Sequence, residues 1–333
     1  MRRIGILGAG AWGTALAAAA RRAGREVVLW TRNPDLAAHL NAAHENPDYL
    51  PGVALDPAIH ATADLDAAAQ CEALLLAVPA QRLRWIGTGL APLVPEGSAG
   101  PPLVICAKGI EQGTGALMSE VVDDVLPGRS LAVLSGPTFA AEVGRGLPTA
   151  VTLAARDEAL GAALVSALGS ASFRPYRSRD PLGAQLGGAL KNVIAIACGI
   201  VSGRAMGDNA RAALITRGLA EIMRLGITMG ARRETLMGLS GLGDLTLTCT
   251  STLSRNYSLG CALGEGQALE AIMGARRSVA EGVFSASAAV QLAARHGVEM
   301  PIAQALDGIL NRNAAIDDAI QGLLALPFTT ETP

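Results

Sequence analysis

The sequence predicts an α/β, doubly wound (Rossmann-like) domain over residues 1–180, followed by an all-α domain over residues 181–333. Three observations point there. Short apolar runs alternate with helical stretches through the first half, and a Gly-x-Gly-x-x-Gly follows the first of those runs. Beyond about Asp180 the strand-like runs stop, while helical segments punctuated by Gly continue. The 333 residues suit two domains of ordinary size, and half of them are hydrophobic, enough for two cores.

Taken in order, residues 4–7 read as a strand and residues 11–22 as a helix. Residues 27–30 form a second strand. A helix opens after Asn33-Pro34, where Asn33 can cap and Pro34 suits the first turn. Residues 73–78, 103–106 and 131–134 are apolar without alternation, the pattern of strands buried on both faces of a parallel sheet. Residues 149–153 and 173–176 complete that sheet, and the Pro- and Gly-rich residues 94–102 form a surface loop. Residues 182–201, 209–226, 233–239, 257–263, 265–273, 285–295 and 302–311 read as helices, the first able to pack against both domains.

A formal net charge of -2 and 3% aromatic residues supply neither an electrostatic footprint for nucleic acid nor a base-stacking platform. The charge-free residues 4–20, flanked by Arg2-Arg3 and Arg21-Arg22, superficially resemble a secretory leader. Gly5, Gly8, Gly10 and Gly13 instead split that run into a strand half and a helix half. No later run reaches the roughly 18 apolar residues of a membrane span, so a cytoplasmic protein is expected. The five cysteines are scattered without a C-x-x-C pair and read as small buried hydrophobes, so no metal site is expected. The four histidines are dispersed too, which turns the search for an acid or base elsewhere.

Gly8-Ala9-Gly10-Ala11-Trp12-Gly13 lies between strand and helix, as a dinucleotide loop requires. The first Gly permits the tight turn, the second admits the pyrophosphate to the backbone, and the third lets helix and strand pack closely. The helix N-terminus offers its unpaired N–H groups to the anion. Where a carboxylate would hold a ribose 2′-OH, the second strand ends in Trp30-Thr31-Arg32-Asn33. Arg32 suits a 2′-phosphate, so NADP(H) is favoured and NAD(H) stays open. A surface-loop role for Arg32 is the alternative.

Such a domain pairing suggests hydride transfer with substrate in the crevice, and ketone reduction also needs a proton donor. Lys108 follows the strand at residues 103–106, at the end where such sheets bind ligands. Lys191 is bracketed by small apolar residues in a nearly charge-free helix, where desolvation would lower its pKa. For either lysine alone, a structural ion pair is an equal alternative. Asp244 lies in a Gly-bracketed turn, Gly241-Leu242-Gly243-Asp244, and Ser254-Arg255-Asn256 gathers three donors suited to a phosphate. Taken singly, these are also consistent with a cap and a helix start.

Together they resemble the bacterial NAD(P)-dependent glycerol-3-phosphate dehydrogenases. The resemblance is carried by the segment from Gly8 to Ala17, Ala107-Lys108-Gly109-Ile110-Glu111, Leu134-Ser135-Gly136-Pro137-Thr138-Phe139-Ala140 and Leu190-Lys191-Asn192-Val193. It continues through Gly241-Leu242-Gly243-Asp244-Leu245, Thr248-Cys249, Ser254-Arg255-Asn256, Val279-Ala280-Glu281-Gly282 and Met300-Pro301-Ile302. Ala11 stands where serine is common, and Asn33 makes the end of the second strand less cationic than in some relatives.

The resemblance implies that Lys191 passes the proton, that Lys108 contacts cofactor and substrate, and that Asp244 holds substrate and positions Lys191. Gly136 and Thr138 would line the substrate pocket, and Ser254, Arg255 and Asn256 would bind its phosphate end. Ala11, Trp12, Arg32, Tyr49, Ala140, Arg255, Val279 and Glu281 would contact the dinucleotide beside Gly8, Gly10 and Gly13. The implied role is to supply glycerol 3-phosphate from dihydroxyacetone phosphate for phospholipid synthesis, with a homodimer left open. A two-domain dehydrogenase of 3-hydroxy acids or sugar-acid phosphates, or a dinucleotide sensor without turnover, is the alternative.

Overall fold

The computed structural model describes residues 1–274 and 280–327. Its main sheet has eight strands in the order β10-β9-β8-β7-β6-β1-β2-β5. These are β1 (Arg3–Leu7), β2 (Glu26–Trp30), β5 (Ile59–Thr62), β6 (Ala73–Leu76), β7 (Leu103–Ile105), β8 (Leu131–Ser135), β9 (Thr149–Ala155) and β10 (Phe173–Ser178). A two-stranded hairpin, β3 (Glu45–Asn46) with β4 (Leu50–Ala54), completes the set. Six strands run parallel; β9 pairs antiparallel with β8, and β10 runs with β9.

The continuous apolar runs follow from burial on both faces. Ile4 and Ile6 of β1 join Val27, Leu29 and Leu75 in one core, whereas Leu7, Val28, Leu74 and Leu76 point into another. Helices Ala11–Arg22 and Glu158–Leu168 cover the first face, and helices Leu83–Leu90 and Met118–Val125 cover the second. Asn33 caps helix Pro34–Ala43 by accepting from the Asp35 and Leu36 backbone N–H groups, as its position in the sequence indicates. β5 went unrecognised because four residues carry too short a period. Its Ala61 backbone is matched by the Asn41 side chain, which donates and accepts at 2.8 Å and closes that sheet edge.

After β10 the described chain is helical and builds a third core. Helix Pro181–Gly203 is its spine; Asp180 caps it, accepting from Gly183 N–H at 2.8 Å. By length and mean hydropathy this helix could cross a membrane, which corrects the expectation that no segment would, but most of it is buried inside the protein. Two other sequence readings change. The segment read as one helix over residues 265–273 begins only at Leu269, because Gly266, at φ +90°, ends the preceding helix. The Gly-bracketed turn before Asp244 is a wide helical turn, Leu239–Gly243, and Asp244 itself opens helix Asp244–Thr250.

Candidate active site

The glycine loop has the geometry its sequence demands. Gly8 sits at φ +114°, and a Cβ on Gly13 would lie 1.8 Å from the Gly8 carbonyl oxygen, so neither position admits a side chain. At Gly10 a Cβ would meet no protein atom within 4 Å, leaving open space over the backbone. Helix Ala11–Arg22 begins there without a side-chain cap, so its first N–H groups are available to an anion. Ala11 is its first residue, and Ala11, Trp12 and Ala140 pack part-buried against the same core. The Trp12 indole Nε1 is buried with no hydrogen-bond partner among the described residues.

A residue overlooked in the sequence fixes this loop. Buried Asn46 donates to the Ala9 carbonyl at 2.9 Å and to Thr14 Oγ1 at 2.8 Å, and accepts from Tyr49 N–H. Tyr49 is itself 45% exposed beside the loop. Arg32 is exposed just past β2. Gly8 and Gly10, Arg32 and Lys108 thus follow β1, β2 and β7 at one end of the sheet, straddling the point between β1 and β6 where strand order reverses. An open glycine turn, an uncapped helix start and an orphaned indole N–H together fit a dinucleotide.

At the same end the chemistry gathers on one carboxylate. Asp244 is fully buried and bonds both lysines. Lys108 Nζ reaches Asp244 Oδ2 at 2.7 Å and the Gly136 carbonyl at 2.9 Å. Lys191 Nζ donates to Asp244 Oδ1 in a short contact and to Thr248 Oγ1 at 2.9 Å. Thr248 donates in turn to the Asp244 carbonyl at 2.6 Å, one helical turn back. Gly136 holds φ +147° with Val151 packed behind it, and the Thr138 hydroxyl donates to its carbonyl at 3.2 Å. Gly188 is needed as well: a Cβ there would come 2.7 Å from Ser135 Oγ and 3.4 Å from the Lys108 stem.

Two models describing NAD-dependent glycerol-3-phosphate dehydrogenase match this chain, the N-terminal model over residues 3–161 and the C-terminal model over residues 180–321. The chain is 60% identical over 331 residues to the glycerol-3-phosphate dehydrogenase [NAD(P)+] of Parvibaculum lavamentivorans, covering 99% of this chain and 98% of that one. It is 61% identical to that of Rhodospirillum rubrum over 98% and 93% of the two chains. The chain belongs to this family. A crystal structure of glycerol-3-phosphate dehydrogenase from Coxiella burnetii superposes with a TM-score of 0.93 at 39% identity, covering 98% and 99%.

In this member of the glycerol-3-phosphate dehydrogenase family, burial, opposed by Asp244 and assisted by the Lys108 charge, lowers the Lys191 pKa to about 8. A lysine so placed can hold or release a proton near neutral pH. The Ser254-Arg255-Asn256 triplet opens helix Arg255–Gly264, with Ser254 capping through Tyr257 N–H. The plain reading of the triplet, a helix start, is the one seen. Asn256 is engaged within the protein: its Nδ2 donates to Asn192 at 2.9 Å, and its Oδ1 accepts from Gly282 N–H. That network ties the triplet to the residue following Lys191.

Arg255 keeps exposed surface within a crowded rim, where desolvation lowers its pKa and the Glu281 charge raises it in part. Burial raises the Glu281 pKa, opposed by the Ala80 backbone N–H and Arg255. Val279 lies outside the described residues. An open hollow of about 720 Å³ between β10 and the stretch from Arg232 to Leu239 contains none of the clustered lysine or carboxylate groups, so volume alone does not mark the site.

Proposed function

We propose that this chain interconverts dihydroxyacetone phosphate and sn-glycerol 3-phosphate, with NADPH favoured through Arg32 and NADH also used. The observation that carries the mechanism is one buried carboxylate, Asp244, shared by Lys108 and Lys191. A reduced nicotinamide, when bound, supplies the hydride for the carbonyl carbon. Lys191 donates its proton to the resulting alkoxide oxygen, and in the reverse direction takes the hydroxyl proton. Lys108 adds positive charge near that oxygen, where exclusion of water strengthens the interaction. Asp244 and Thr248 fix the Lys191 ammonium, and Gly136 and Thr138 line the reacting end. Arg255 and the start of helix Arg255–Gly264 hold the phosphate, with Ser254 and Asn256 shaping that end.

The division at residue 180 into dinucleotide and substrate domains belongs to the same reading. So do a cytoplasmic location, a homodimeric state and supply of glycerol 3-phosphate for phospholipid synthesis. The test is loss of reduced-nicotinamide absorbance with dihydroxyacetone phosphate, run beside unphosphorylated dihydroxyacetone. Rapid loss only with the phosphorylated ketone is expected; cofactor binding without loss refutes the assignment. Lys191→Ala is expected to remove most turnover, at least about 100-fold, with cofactor affinity nearly unchanged. Near-normal turnover would remove Lys191 from the proton path.

A further inference from the structure

Lys108 stands on a loop that has left the sheet. Pairing beyond β7 ends where Cys106 N–H donates to the Leu76 carbonyl at 3.0 Å. The chain then turns toward the helical region, where Ile110 and Leu117 form an isolated bridge and are buried in the core around helix Pro181–Gly203. Gln81, half-buried in the single turn Ala80–Arg82 after β6, holds this loop at two points. Its Nε2 donates to the Ile110 carbonyl at 2.8 Å, and its Oε1 accepts from Gln112 N–H at 2.9 Å. One side-chain amide thus satisfies a backbone acceptor and a backbone donor, as a neighbouring strand would. Gly109 permits the approach, since a Cβ there would lie 2.6 Å from Ala80 Cβ. Arg84 also pairs with the Glu111 carboxylate at 2.8 Å, but through a side chain that can follow the loop.

A lysine has a flexible four-carbon stem, so the place of its ammonium depends on what holds each end. The ammonium of Lys108 is held by Asp244 Oδ2 at 2.7 Å and the Gly136 carbonyl at 2.9 Å. Its stem passes Gly188, where a Cβ would lie 3.4 Å from Lys108 Cγ. The backbone end is held by Gln81, at the residues just after Gly109. A displacement of about 1 Å at a reacting group can cost about a hundredfold in rate, so the loop's anchorage bears directly on Lys108.

We propose that Gln81 is a positioning residue for Lys108: its amide fixes the loop at Ile110 and Gln112 and so keeps Lys108 Nζ on Asp244. The inference rests on the roles given above to Lys108 and Lys191. The charges around Lys191 make a displacement of Lys108 readable. Asp244 and the Cys249 thiol group raise the Lys191 pKa, whereas Lys108 lowers it. Withdrawing Lys108 removes the repulsion and leaves Asp244 to Lys191 alone, and both changes favour the protonated lysine.

The experiment measures kcat for dihydroxyacetone phosphate reduction against pH, at saturating NADPH and ketone. It compares wild type with Gln81→Met, Gln81→Glu, Lys108→Met and the double variant of Gln81→Met with Lys108→Met. Gln81→Met removes both loop bonds at similar volume. Gln81→Glu keeps the acceptor for Gln112 but sets an oxygen against the Ile110 carbonyl, and it carries the test should Gln81→Met fail to fold. Either change is expected to lower kcat about tenfold or more. Either should also move the pH midpoint of reduction upward from about 8, by about half a unit. In the Lys108→Met background Gln81→Met should cost less than about twofold further, because the group it positions is gone. An unmoved midpoint, or losses that multiply in the double variant, would overturn the proposal and leave Gln81 a structural tie. Full turnover by Lys108→Met would instead overturn the role given to Lys108, and the proposal with it.

Discussion

Replacing Asp244 by Asn should change how activity depends on pH more than it changes the fold. The two side chains have nearly the same shape, but the variant lacks the charge that Lys108 and Lys191 share. At about 3 Å and an effective dielectric of about 20, one ammonium–carboxylate pair is worth on the order of 5 kcal/mol. Even a third of that exceeds one pKa unit, since a unit corresponds to about 1.4 kcal/mol. Lys191, lowered to about 8 by burial in spite of Asp244, would lose its counter-charge and retain repulsion from Lys108. Its pKa should therefore fall to about 7 or below. With Lys191 as the proposed proton donor, ketone reduction by wild type should decline as pH rises through about 8, with glycerol 3-phosphate oxidation rising over the same range. For Asp244→Asn, kcat for reduction should drop about tenfold or more at pH 8 and recover substantially near pH 6. The assay is kcat against pH in both directions, with circular dichroism confirming the fold. A uniform loss at every pH, with the midpoint unmoved, would refute the idea that Asp244 sets the lysine's charge.

Arg32→Asp should weaken NADPH at least about tenfold more than NADH, because it replaces a phosphate partner with a like charge; equal effects on the two Kd values would show that Arg32 does not read the 2′-phosphate. Gly10→Ala and Gly13→Ala should behave differently. The first adds a methyl into open space at a backbone conformation Ala accepts, so the melting temperature should hold while cofactor Kd rises; the second drives Cβ into the Gly8 carbonyl and should destabilise by about 1–3 kcal/mol or more. Loss of melting temperature in Gly10→Ala would count against that loop as the pyrophosphate seat. Buried Glu221, which accepts from Ile302 N–H at 2.7 Å and from Ala303 N–H, has its pKa raised to about 7 by burial. The folded state then holds this proton more tightly than the unfolded chain. Its contribution is complete below about pH 4.5 and is lost as pH rises through about 7. Glu221→Gln should flatten the fall in melting temperature between pH 5 and 8; an unchanged slope would remove Glu221 from that dependence.

Helix Ala11–Arg22 and the Asn33 cap were legible because their determinants are local: a glycine turn before one, and a side chain accepting from the next two backbone N–H groups in the other. The buried lysine was legible for a related reason, since apolar neighbours on its own helix announce desolvation. What Lys191 touches was not derivable from spacing. Asp244 lies 53 residues from Lys191 and 136 from Lys108, and only the packing of helix Asp244–Thr250 against the spine brings them together. Asn46 was missed because its meaning lies in the Ala9 carbonyl, 37 residues earlier. The turn before Asp244 was misread because glycines there serve a tertiary demand. A Cβ on Gly187 of the spine would lie 2.4 Å from the Ser240 carbonyl, so the wide turn and the helix need each other's missing side chains.

That same spine explains how the proposed proton donor and phosphate seat, supplied by different helices, keep their spacing. Glycines near its C-terminal end, Gly199 and Gly203, meet Gly260 and Gly264 backbone to backbone; a Cβ on Gly199 would lie 2.1 Å from the Tyr257 carbonyl, and one on Gly260 2.1 Å from the Ile196 carbonyl. Contacts this close leave little freedom for the two helices to slide, because any displacement meets backbone rather than a flexible side chain. The second constraint is polar. Asn192, the neighbour of Lys191, accepts from Asn256, and Asn256 accepts from Gly282 N–H at the start of the helix bearing Glu281 and Ser285. Three helices thus meet at one asparagine pair, bringing the lysine and the triplet into a single frame. In the proposed mechanism the reacting carbon lies between a hydride donor and Lys191 while its phosphate stays at Arg255. A frame fixed by backbone contact and one buried amide pair meets that requirement without depending on the long side chains themselves.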